Sequence, residues 1–134
     1  MNVPVSPTIP GSQNLQTLFV NVLQVNSLEI INKHIKTMQT VAPTISSGSL
    51  VNATDIAGII TFTSNGLAGI QTTITFNSSY GVAPNILLTP RNVNSAVNNI
   101  GYYVTSTLTG FSINAAFTTG AIPYEYFYIV IQSN

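Results

Sequence analysis

The chain contains no cysteine and no tryptophan, a single histidine (His34), and only six charged residues among 134. Without cysteine there is no disulfide framework and no thiol chemistry, and one histidine leaves almost no route to a zinc site. Charge is the scarcest property: 4% of residues carry it, against about 25% in an ordinary globular domain. Lys33, Lys36 and Arg91 balance Glu29, Asp55 and Glu125, for a net charge of zero. Proteins that grip nucleic acid displace counterions with many lysines and arginines, so three cations exclude that class. No apolar run approaches the roughly 20 residues of a membrane helix, so no membrane insertion is expected. The opening "MNVPVSPTIPGS" has no basic segment followed by an apolar stretch. It does not read as a secretory signal, and synthesis in a cytoplasm is expected.

The means of catalysis are equally thin. A nucleophile needs a base beside it, and His34 sits between Lys33 and Ile35 with no nucleophile motif in view. Neither a G-x-S-x-G elbow nor a phosphate-binding G-x-x-x-x-G-K occurs. Glycosidase chemistry needs two facing carboxylates, whereas the three acids lie in three distant segments. Asp55, near Asn52 and Thr54, reads as a loop cap rather than a calcium ligand, because one carboxylate is too few for calcium. The expectation is a protein that is not an enzyme and uses no cofactor or metal.

Asn, Thr, Ser and Gln take the place of charge, and mean hydropathy is +0.37. A free monomer usually keeps surface charge for solubility. This balance suits a subunit whose surface is largely covered in an assembly, or a hardy particle-borne protein insensitive to pH and salt.

Along the chain, Pro4, Pro7 and Pro10 precede Gly11 and Ser12. That spacing favours an extended arm. Residues 15–41 mix helical and strand periodicity; strands are preferred over 18–31 on the alternation in "VLQVNSLEI". Residues 43–52 read as loop. Six strands follow, at 57–63, 69–76, 85–90, 100–108, 111–118 and 124–132. Asn65-Gly66 carries a hairpin signal, and Thr109-Gly110 a second turn. Regular short strands without a credible helix among them predict an antiparallel β-sandwich.

The last strand, "YEYFYIVIQ", splits at period 2. Glu125, Phe127, Ile129 and Ile131 share one face, which reads as core except that Glu125, at the strand's start, can reach water or pair with Arg91. Tyr124, Tyr126, Tyr128 and Val130 share the other. Three occupants are open for that tyrosine face: another sheet of the same chain, another copy of the chain, or a ligand. Tyrosine, with an apolar body and a polar tip, suits interfaces.

The strings "TITF" (73–76), Tyr80, Pro84, "ILLT" (86–89), "TGF" (109–111) and the aromatic final strand occur in a familiar order. This pattern resembles the six-stranded head domains of phage tail-fibre proteins and of structural proteins of large DNA viruses. More loosely, it is similar to the H-type lectins. The resemblance covers a little over half of the chain and consists of strands and turns. It implies a homotrimer with the last strands near the threefold axis, which makes Tyr124, Tyr126, Tyr128 and Val130 a candidate subunit interface. It departs from the lectins in offering few charged side chains for sugar.

The expected protein is therefore all-β, an antiparallel sandwich of jelly-roll or fibre-head type at 51–134. An arm and oligomerisation or attachment region occupies 1–50. The expected role is a virion structural subunit, made in the host cytoplasm, whose partners are its own copies and other virion proteins. The alternative is a lectin-like module that binds a host glycan or receptor through loops 77–84, 91–99 and 119–123, with Tyr80, Arg91, Asn92 and Asn94 as candidate contacts.

Overall fold

The computed structural model describes residues 39–97, 101–117 and 120–132. The proline-rich arm, the strands expected at 18–31 and His34 lie outside the described residues. Among those described there are eight strands and one short helix: β1 (Thr44–Ile45), β2 (Ser49–Val51), β3 (Ala57–Thr63), β4 (Gly69–Thr75), β5 (Asn85–Pro90), α1 (Val93–Val97), β6 (Tyr102–Thr107), β7 (Gly110–Ala115) and β8 (Pro123–Ile131). All pairings are antiparallel. They form two four-stranded sheets. Sheet A has the order β1-β4-β7-β6 and sheet B the order β2-β3-β8-β5. The fold is the expected antiparallel β-sandwich.

All six expected strands are present, but their neighbours differ in three places, one of them α1, a helix of five residues within the 91–99 segment read as loop. The segment 43–52, read as loop, supplies β1 and β2, so the sandwich begins before residue 51. These strands are two and three residues long, too short to show an alternation. Between them the chain passes from sheet A to sheet B at Gly48, whose φ is +106°. The Asn65-Gly66 segment does not close a hairpin either. β3 belongs to sheet B and β4 to sheet A, so this turn carries the chain across the sandwich. The β6–β7 connection at Leu108-Thr109 is a true hairpin.

A bulge between Ile70 and Thr72 shifts the β4–β7 register. It turns Ile70 out to solvent and brings both Gln71 and Thr72 inside, where strict alternation would bury Ile70. The Gln71 amide organises the crossing turn. Its Oε1 accepts from Ser64 Oγ and the Asn65 N–H, and its Nε2 donates to the Leu67 and Gly69 carbonyls. A bulge re-aims side chains in this way because one extra residue breaks the period of two.

The core lies between the sheets. Ile60 and Phe62 of β3, Leu88 of β5 and β8 face Ile74 of β4, Phe76, and Phe111, Ile113 and Ala115 of β7.

Candidate functional site: the outer face of one sheet

β8 is a central strand of sheet B, paired with β3 over residues 123–129 and with β5 over 126–131. The Glu125, Phe127, Ile129 and Ile131 face, read as core, points outward, and of the three occupants open for the tyrosine face the structure shows the other sheet of the same chain. Tyr124, Tyr126 and Tyr128 are each 0% exposed, and Val130 is buried as well. The candidate subunit interface at Tyr124, Tyr126, Tyr128 and Val130 is thus the interior of a single chain. Stacked sheets stand about 10 Å apart, and tyrosine rings are long enough to fill that gap. Tyr124 and Tyr126 stack on Phe62 at centroid distances of 5.7 and 6.1 Å. Tyr126 meets Tyr102 of the opposite sheet edge-on at 5.0 Å, and Tyr128 meets Phe111 at 5.4 Å.

The hydroxyls differ. Tyr128 donates to the Thr54 carbonyl. Tyr124 and Tyr126 have buried hydroxyls with no hydrogen-bond partner among the described residues. Burial, then Tyr102, pushes the Tyr126 phenol up to about 12, with nearby Ser95 acting the other way although it is not in bonding geometry. Burial, then Asp55 and Tyr80, raises Tyr128 further. Charging these rings in an apolar site is unfavourable, so they serve as packing and not as acids or bases near neutral pH.

The opposite face of β8 points outward. Phe127 pairs with Ile59 of β3, which pairs with Val51 of β2. One row along, Ile129 lies between Ala57 of β3 and Leu87 of β5. Directly paired residues share a face, so these side chains and Ile131 form one continuous apolar surface. Val51, Leu87 and Ile131 are 46%, 56% and 57% exposed. Nothing described covers them, whereas a contiguous exposed apolar surface commonly marks an interaction site.

The outer face of sheet A has the opposite character. Thr73 and Ser112 share a hydrogen bond between hydroxyls at 2.8 Å, and Asn114 Nδ2 donates to Thr105 Oγ1 and to the Tyr103 and Ser112 carbonyls. Its hydroxyls and amides bond to one another, and its exposed apolar side chains, Ile70 and Tyr103, are separated by Asn114 and do not form a band.

The candidate loop residues do not form one site. Arg91, Asn92 and Asn94 gather at the start of β8. Arg91 pairs with Glu125 at 3.2 Å, as its position suggested. Asn92 Oδ1 accepts the Ser95 N–H, and Asn92 and Asn94 donate to the Pro123 carbonyl. Tyr80 sits at the far end, where Val130 N–H bonds to the Ile56 carbonyl. The nine residues of β8 (Pro123–Ile131) separate the two ends, about 30 Å at strand rise.

At the Tyr80 end there is a pocket of ≈ 340 Å³ lined by Gln39, Asp55, Ile56, Asn77, Tyr80 and Gln132, among others. Asp55 acts as the expected loop cap. Its Oδ1 and Oδ2 accept the Asn77 and Ser78 N–H groups at 2.8 and 2.9 Å, and Tyr80 donates its hydroxyl to the Asp55 carbonyl. The carboxylate therefore holds the 77–84 loop in place.

Sequence reasoning missed the outer surface because it ranked Phe127, Ile129 and Ile131 as more apolar than tyrosine. The signal that could have found it was width. Val51, Ile59 and Leu87 are also apolar and also occupy the outward phase of their strands. No protein-family model, curated protein or solved structure matches the chain.

Proposed function

We propose that this chain is a non-enzymatic structural subunit of a virion, of the fibre-head, decoration or minor capsid kind, and that it acts by assembly. One observation carries the assembly reading: a continuous apolar surface on the outside of sheet B. Monomeric proteins rarely leave such a surface open, and protein partners commonly cover it. The scarcity of charge supports the same reading. The virion setting, synthesis in a host cytoplasm and a trimeric stoichiometry come from the resemblance to fibre-head domains.

Native mass by light scattering across a dilution series, with detection of the chain in purified particles, tests this reading. A monomer at every concentration that is also absent from particles sinks it.

A second reading has its own observation, the polar pocket beside Tyr80. A lectin-like module would use its amides and hydroxyls for a neutral polar ligand. A glycan array separates the two readings, since a purely structural subunit retains no glycan.

A further inference from the structure

We infer that copies of this chain meet one another through the outer face of sheet B, with Ile59, Phe127 and Ile129 at the centre of the contact and Leu87 within it. This rests on the assembly reading and names its surface and its partner.

The choice of face follows from the contrast between the two sheets. On sheet A the outward hydroxyls and amides bond to one another and suit water. On sheet B the outward phase carries an apolar band, Val51, Ile59 and Phe127 in one row and Ala57, Ile129 and Leu87 in the next, with Ile131 beyond; Ser49, Thr61 and Glu125 border it on one side, and Thr89 and Asn85 of β5 interrupt its margin. Burying the band removes apolar surface from water, which is favourable in proportion to its area.

The choice of partner follows from charge. The one ion pair near this face, Arg91–Glu125, is internal to the chain and lies at the start of β8. A partner recognised by charge would find nothing unpaired at the centre of the surface. A second copy presents the same neutral apolar plane, and a chain of zero net charge does not repel itself at long range. Apolar sheet faces pack on one another about 10 Å apart, which is how sheets A and B already pack within the chain.

The size is adequate. Four strands at about 4.8 Å spacing and some seven residues of rise give a plane roughly 20 Å on a side. Two such planes bury on the order of 1,000 Å² of accessible surface, at the low end for a specific interface. The contact should therefore dissociate on dilution.

The test is sedimentation or light scattering of the full chain over a concentration series. The wild type should give a multiple of 14.2 kDa that falls on dilution. Leu87→Lys places a charge in the contact and should weaken association at least about tenfold. Tyr103→Lys, on the outside of sheet A, should leave it unchanged. Because the chain has no cysteine, Ile129→Cys supplies a single thiol. A bis-maleimide reagent that spans about 10 Å, added at a concentration where the wild type associates, should give a covalently linked pair, a readout that survives if Leu87→Lys fails to fold. An oligomer indifferent to Leu87→Lys, or Ile129→Cys that stays unlinked, overturns this inference while leaving assembly standing. A wild type that is monomeric throughout overturns it too, and the assembly reading is then decided by the particle measurement alone.

Discussion

The Tyr128 hydroxyl donates its hydrogen to the carbonyl oxygen of Thr54, 74 positions earlier in the chain. This bond ties the middle strand of sheet B to the segment between β2 and β3. The Thr54 side chain, in turn, accepts the Ile56 and Ala57 N–H groups. Tyr124 and Tyr126 are buried to the same degree with no such bond. Removing one partner of a buried bond costs about 1–3 kcal/mol, whereas removing an unpaired buried hydroxyl is near neutral or favourable. Tyr128→Phe should therefore lower unfolding stability by roughly that amount. Tyr124→Phe and Tyr126→Phe should leave it unchanged or raised. Urea melts of the three variants check this; equal losses at all three positions would contradict it.

Alkaline pH should unfold the protein through Tyr80, Tyr126 and Tyr128. The folded state holds Tyr80, Tyr126 and Tyr128 above the usual value of 10.0, each first by burial, and Tyr126 reaches about 12. A phenol raised in the folded state favours folding fully below its unfolded pKa. Above pH 10 the unfolded chain releases protons that the native chain retains, so stability falls with pH. The expected profile is flat through neutral pH and declines from about pH 10. Thermal melts, with tyrosinate absorbance followed in parallel, should show ionisation of Tyr126 and Tyr128 together with unfolding.

Asp55 should matter more than its place in a loop suggests. Both carboxylate oxygens accept backbone N–H groups of the 77–78 segment, and its own N–H donates to Gln39. Asp55→Ala leaves the Asn77 and Ser78 donors unmatched at a largely buried position. A loss of about 1.5–3 kcal/mol is expected, in the range for a bond to a charged group. Denaturant melts give the magnitude, and hydrogen exchange should localise the loosening to residues 77–84.

Gly48 marks the crossing from β1 to β2. Its φ is +106°, and an added Cβ would stand 2.1 Å from the Thr61 carbonyl oxygen. Gly48→Ala meets both backbone strain and a collision with backbone that cannot rotate away. A loss above about 2 kcal/mol is expected. Gly120 has nothing within 4 Å of its Cβ position and no positive φ, so Gly120→Ala should be tolerated. A comparison of melting temperatures decides between these outcomes.

The six long strands were legible because Ile60, Phe62, Ile74, Phe111 and Ile113 recur at period 2. What stayed hidden was which sheet each strand joins. Asn65-Gly66 announces a tight change of direction, but turn chemistry is the same whether the next strand pairs with the last or crosses the core. The Ile70–Thr72 bulge was hidden because Gln71 goes inside to bond a turn that must first exist. The Phe127 face of β8 was misassigned to the core, and the occupant of the tyrosine face stayed open, because both faces are apolar. Which one is buried depends on rings reaching Phe62, Tyr102 and Phe111, residues 17 to 64 positions away. The pairing of Arg91 with Glu125 and the capping role of Asp55 were legible because so few charges had so few alternatives.

The place of β8 also sets an order of events during synthesis. It is the last of the described strands to be made, yet it lies between β3 and β5, and each of its residues has a partner on at least one side. Until it emerges from the ribosome, those two strands have no shared partner and expose open edges, a hazard for pairing with other nascent chains. Sheet A can form its β4–β7 and β6–β7 ladders earlier, from strands already translated. A chain cut short before Pro123 would lose the spine of sheet B, not a trimming at its margin, and quality-control machinery would meet a half-built sandwich with an apolar interior open to it.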